Sequence, residues 1–130
     1  MIEFSAANRL LRRQQHEQAL AAFVALSNYE TATTYQKSLA LAEAANCANR
    51  MKNAEQAAGF AESIPLESIA RTVQMQNLLA ERKWSAMIEQ FGNEDFLSWP
   101  FTQIGSAAFA RGQAHYSLKS GARADADFRL

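Results

Sequence analysis

Apolar side chains fall three and four positions apart along most of this chain. The clearest stripe is Ala19, Leu20, Phe23, Val24 and Leu26, and that spacing marks one face of an amphipathic helix. The same pattern, with its polar interruptions, predicts helices over residues 2–13, 17–27, 33–48, 53–63, 66–81 and 85–91. A seventh then runs to about residue 119, and an eighth begins before the last residue. Residues 14–16 form the first elbow and 28–31 the next turn. Pro65 ends the fourth helix, because the residue before a proline is pushed out of the helical region. Residues 92–99 are the longest break. Gly92 and Asn93 stop one helix there, and Ser98 ahead of Trp99 and Pro100 reads as the cap and first turn of the next. No segment needs a strand, so the expected fold class is all-α.

The pattern also repeats. Ala19, Ala54, Met87 and Ala124 stand 35, 33 and 37 residues apart, a period of about 34 that suits two helices and their turns. Three residues before each come His16, Met51, Trp84 and Gly121, and four after come Phe23, Ala58, Phe91 and Phe128. Twelve before lie Ala7, Ala42, Met75 and Gly112. Each column has a packing reason. Met51 and Trp84 suit the elbow of a helical hairpin, alanine or glycine lets two helix backbones approach, and the aromatic fills the space toward the next unit. The units run 1–33, 34–66, 67–98 and 99–130 as one repeat domain, the last unit incomplete. A repeat buries its apolar face only against a neighbour. Phe128 and Leu130 are therefore expected to form an end face, covered by further chain or by another molecule, with a concentration-dependent homodimer as the outcome for the chain alone.

Residues 108–128, AFARGQAHYSLKSGARADADF, and 12–26, RRQQHEQALAAFVAL, carry the strongest signature. On them the chain resembles the tetratricopeptide repeat family, over about three and a half units. Met75 and Met87 stand where the third unit should be small, and Ala58 replaces the aromatic of the second. The resemblance implies a right-handed α-α superhelix, a solenoid of antiparallel helical hairpins, whose first helices line a concave groove for a partner's peptide or helix. The groove positions it implies are Phe4, Asn8, Leu11 and Arg12; Gln36, Leu39, Glu43 and Asn46; Thr72, Gln76 and Leu79; and Ser106, Phe109, Gln113 and Tyr116. A ladder of amides offers donors and acceptors to an extended main chain, and Leu39, Leu79, Phe109 and Tyr116 would supply pockets. For each of them, a solvated helix face or packing between helices is the plainer alternative. One version of this groove in the family holds a C-terminal carboxylate with lysine, arginine and asparagine. Its positions here are Phe4, Asn8, Ala40, Ile69 and Val73, so only the asparagine remains and no cation meets the acid. Acidic chaperone tails are expected not to bind.

At 130 residues and 48% hydrophobic, the chain has the size and composition of one ordinary domain. Its 13 basic and 13 acidic residues cancel to zero net charge, which gives no support for binding nucleic acid or an anionic membrane. The densest basic cluster, Arg9, Arg12 and Arg13, reads as a charged face of a surface helix. The longest apolar run, 19–26, is far short of the roughly 20 residues of a membrane span. The first residues also lack a signal peptide's apolar core, so a cytoplasmic location is expected.

Cys47 is the single cysteine, and no Cys/His cluster has ligand spacing, so neither metal nor cofactor is expected. His16 and His115 stand about three repeats apart, and His115 beside Tyr116 reads as a packing pair. Cys47 has no histidine near it in sequence, Glu94 and Asp95 read as a turn, and Gly105 and Gly112 follow no strand and cradle no phosphate. An enzyme is not expected. The expected function is a protein–protein interaction module, a portion of a larger protein. The alternatives are a small bacterial secretion-type chaperone shielding a hydrophobic partner segment and a self-associating structural module.

Overall fold

The computed structural model describes residues 4–99, 101–118 and 127–129, with side chains for all of these except 101 and 102. Among them are seven α-helices and no strand, so the chain is all-α as its periodicity predicts. They are α1 (Phe4–Arg12), α2 (His16–Ser27), α3 (Thr34–Arg50), α4 (Ala54–Ser63), α5 (Glu67–Ala80), α6 (Trp84–Phe91) and α7 (Phe101–Ser117). A short 3-10 turn, Phe96–Ser98, precedes α7, and Asp127 and Phe128 are helical. Gly121, Ala124 and Leu130, on which part of the repeat alignment rests, lie outside the described residues. The helices form two compact units, Met1–Val73 and Gln74–Leu130.

In the first unit α1 packs on α2, α2 on α3 and α3 on α4. Alanines line these interfaces. Ala7, Ala19, Ala22, Ala40 and Ala44 share one core with Phe23, Leu26 and Cys47, and such small side chains let helix backbones come close. Phe4 closes that core with its ring tilted on Phe23 at 6.0 Å. A second cluster joins Ala45 and Ala61 to Ile64, Ile69, Ala70 and Val73. The helix ends follow local chemistry. Thr33 and Gln36 exchange side-chain and backbone hydrogen bonds in a capping box at the start of α3. Ile64 is extended ahead of Pro65 and ends α4. Inside α3 the buried Ser38 hydroxyl donates to the Thr34 carbonyl at 2.8 Å and accepts from the Leu66 amide at 3.2 Å, which ties α3 to the turn ahead of α5.

Three hairpin turns reuse one geometry. Gln14, Lys52 and Arg82 are left-handed, with φ of 59°, 59° and 56°. Their amides donate to the carbonyls of Leu11, Asn49 and Leu79, while those of Gln15, Asn53 and Lys83 reach Leu10, Ala48 and Leu78. This is the Schellman pattern, which satisfies carbonyls left over at a helix end. In each case the next helix starts two residues after the left-handed one, at His16, Ala54 and Trp84.

The turns set the register of the hairpins and correct the sequence alignment. Ala19 and Met87 are the fourth residues of their helices, and the fourth residue of α4 is Ala57. All three are fully buried, whereas Ala54 is exposed. The second unit therefore shifts by three: Ala57, Ala61 and Ala45 take the places assigned to Ala54, Ala58 and Ala42. Met51 is exposed and plugs no elbow. The cause is the 17-residue length of α3, three more than the 14-residue α5, which delays α4 by the same amount. An alanine-rich stretch matches any register, so spacing alone did not reveal the slip.

In the second unit Met75, Met87, Phe91, Phe96 and Trp99 pack with Ala107, Ala108, Ala110 and Ala114 of α7. Trp84, half-buried at the start of α6, packs against this core. Residues 92–99 deliver two aromatics into it. Asp95 caps the 3-10 turn by accepting from the Leu97 amide, and the Ser98 hydroxyl donates back to the Asp95 carbonyl. Phe96 and Trp99 then meet edge to face at 4.9 Å. Ser98 thus closes the 3-10 turn and does not cap α7. Trp99 is extended, and α7 starts at Phe101, so the expected cap and first turn are corrected here, with Pro100 outside the described residues.

Candidate interaction surface

Helix α7 divides into two faces by its own spacing. Ala107, Ala108, Ala110 and Ala114 turn into the core. Ser106, Phe109, Gln113 and Tyr116 fall on the other side at steps of three and four, and there Phe109 is 55% and Tyr116 67% exposed, with Gln113 half-buried between them. Two large aromatics two turns apart stand out to solvent, with an amide on the turn between them.

The other residues singled out from sequence are placed differently. On α1, Asn8 and Arg12 are exposed one turn apart. On α3, Leu39, Glu43 and Asn46 are half-buried, and Leu39 packs against the second cluster of the first unit. On α5, Gln76 is half-buried and Leu79 packs against the core of the second unit. The two leucines serve the interior. Of the positions named for a carboxylate, Ala40, Ile69 and Val73 are buried.

Sequence reasoning missed the most developed polar cluster in the molecule. Arg111 projects from α7 with its side chain only 11% exposed. Its Nη1 donates to the carbonyls of Phe91 at 3.1 Å and Glu94 at 2.7 Å, and the guanidinium lies over the Phe96 ring at 4.0 Å. Its other edge grips Asp127: Nη2 reaches Oδ1 at 2.7 Å, and Nε reaches Oδ1 at 2.9 Å and Oδ2 at 3.0 Å. His115 Nε2 stands 3.5 Å from Asp127 Oδ2. Next to this pair, the Phe128 ring rests on Gly112 and lies 6.0 Å from Phe109. A Cβ on Gly112 would come within 2.5 Å of that ring. The signal was present in the sequence as one arginine inside the small and apolar run AFARG, and as an acid directly ahead of Phe128.

Comparison with family models, with curated proteins and with solved structures finds no match for this chain.

The single thiol is held quiet by its surroundings. Burial, reinforced by Glu43, pushes the Cys47 thiol up to about 11, with Arg50 opposing, so it carries almost no thiolate near neutral pH. His16 begins α2, half-buried, with no hydrogen bond to Nδ1. Glu94 and Asp95 serve the turn, one through its carbonyl and the other as a cap. Among the described residues, no three His, Cys, Asp or Glu side chains gather as a metal site, and no helix is long and apolar enough to cross a membrane. The hollow beside Arg9 and Arg13 is lined by these two with Ala6 and Leu10, three residues of α1 and the one that follows it.

Proposed function

We propose that the chain is a protein–protein interaction module, without a catalytic step of its own, that receives a peptide or helix from a partner along the exposed face of α7. The observation that carries this is the pair Phe109 and Tyr116, both more than half exposed and two turns apart on a helix whose opposite face is closed. Aromatic side chains of this kind are the usual anchors of binding energy at interfaces, each worth on the order of 2 kcal/mol. Gln113 between them supplies a donor and an acceptor for a partner's main chain. We further read the three alike hairpin turns as supporting a right-handed superhelical stack of the tetratricopeptide kind, working in the cytoplasm.

The test is a full-chain pull-down with and without Phe109→Glu/Tyr116→Glu. Both side chains are more than half exposed, and Phe109 also borders the Phe128 ring, so the variant should stay folded and melt no more than several degrees below the parent. Proteins retained by the parent should be lost from it. Retention of the same set by a folded double variant would rule out this face.

A further inference from the structure

The Arg111 cluster is built from two parts with different roles. The guanidinium is fixed from one side by segments that precede α7: its Nη1 is engaged by the Phe91 and Glu94 carbonyls, and its plane by the Phe96 ring. None of these contacts involves Asp127. The remaining edge, Nε and Nη2, is the fork that fits a carboxylate with two donors. Beside it, Gly112 leaves a flat place on α7, and Phe109 walls it on one side. An acid followed directly by an aromatic ring fills both places at once. Here the occupant is Asp127 with Phe128, and the ring is still 45% exposed while it lies there. The receiving surface is organised in advance, which lowers the cost of binding, and a buried arginine fork left empty is costly.

We propose that α7 carries a preformed seat for an acid–aromatic pair on a helical turn, filled within the chain by Asp127 and Phe128 and open to exchange with the same segment of a second copy. The contacts are identical in either arrangement, which is the condition for exchange between protomers. Within one chain, only residues 119–126 separate the end of the described α7 segment from Asp127, so the segment is presented to its own seat at an effective concentration on the order of millimolar. The seat is thus closed at low protein concentration and exchangeable at high. It stands on contacts separate from the solvent-facing side of Tyr116 and does not depend on α7 having another partner.

The experiment uses the full chain carrying Asp127→Ala/Phe128→Ala and a labelled peptide of residues 122–130, ARADADFRL, in the role of the second copy's segment. Anisotropy should show saturable binding to the variant, at least about tenfold tighter than to the parent, whose seat is occupied. A peptide with asparagine in place of the acid before phenylalanine should bind at least about tenfold more weakly, because the carboxylate that fills the Arg111 fork is lost. If the emptied variant is poorly folded, the peptide should raise its melting temperature by several degrees, since a ligand of the folded state stabilises it. The single variant Phe128→Ala, which keeps the Arg111 pair, should bind between the two. No saturable binding and no thermal shift would overturn the proposal, because the segment would then be a fixed part of the core. Equal binding to parent and variant, or to a scrambled peptide, would overturn it as well.

Discussion

Gly112 and Gly59 are both helical glycines, yet their surroundings give them opposite consequences. Replacing a helix-interior glycine by alanine normally gains about 1 kcal/mol. Nothing lies within 4 Å of a Cβ on Gly59, so Gly59→Ala should stabilise the protein by about 0.5–1 kcal/mol. On Gly112 the added methyl meets the Phe128 ring, held between α7 and Phe109. Overpacking of that kind costs about 1–3 kcal/mol, so Gly112→Ala should be destabilising despite its better propensity. Urea unfolding of both variants separates the two effects, and a stabilised Gly112→Ala would mean the ring does not rest there. Cys47 allows a second test. Its folded pKa, about 11, lies above a free thiol's ordinary 9.0, so the fold prefers the protonated thiol. The stability this gives is fully present below about pH 9 and is lost as pH rises through 11. Wild type should lose more stability than Cys47→Ala between about pH 8 and pH 10.5, and identical slopes would contradict the buried thiol. Tyrosines and lysines titrate alike in both proteins and cancel in the comparison.

At the scale of elements, the hairpin turns are the recurring device. Three side-chain-bearing residues, Gln14, Lys52 and Arg82, are left-handed, a conformation that costs about 1–2 kcal/mol for a residue with a Cβ. Glycine removes that strain and gives back about 0.5–1 kcal/mol through the greater freedom of its unfolded chain. Each of Gln14→Gly, Lys52→Gly and Arg82→Gly should therefore raise stability, by about 0.5 kcal/mol, and unfolding midpoints of the three single variants check it. A loss at all three would show that side-chain contacts, and not the backbone, hold the turns. These turns also mark what could be read in advance. Among the described residues, the order of the seven helices and most of their boundaries followed from apolar spacing and from Pro65, because both act through neighbours in sequence. The register of the second hairpin did not, because Ala42, Ala45, Ala54, Ala57 and Ala58 are interchangeable as letters. Only the length of α3 and the left-handed Lys52 decide which of them are buried. A left-handed lysine carries no mark in the sequence, whereas a glycine there would have.

At the scale of the molecule, the exposed aromatics of α7 were legible from the sequence and the Arg111 cluster was not, for a physical reason. Phe109, Gln113 and Tyr116 share a face by helical periodicity alone, so any helix there displays them together. Arg111 acquires its role from carbonyls of Phe91 and Glu94 and from a carboxylate 16 residues away, and no local pattern connects those groups. The same cluster sharpens the expectation of self-association. Phe128 is only half free, because Gly112 and Phe109 already take one side of it. Burying a whole phenylalanine contributes about 2–3 kcal/mol, so what remains on this ring falls below the roughly 4 kcal/mol of even a millimolar complex. Phe128 therefore needs its exposed neighbour Phe109 and the rest of that face of α7, or exchange of its own segment, to hold two copies together. Either route makes association weak. Sedimentation velocity should find monomers at micromolar concentration and a growing dimer fraction toward millimolar. Phe128→Glu should remove the dimer by both routes, since a charged side chain fits neither an apolar contact nor the place over Gly112. A strict monomer across the whole range, or a Phe128→Glu protein that still dimerises, would remove this end of the chain from the list of self-associating surfaces.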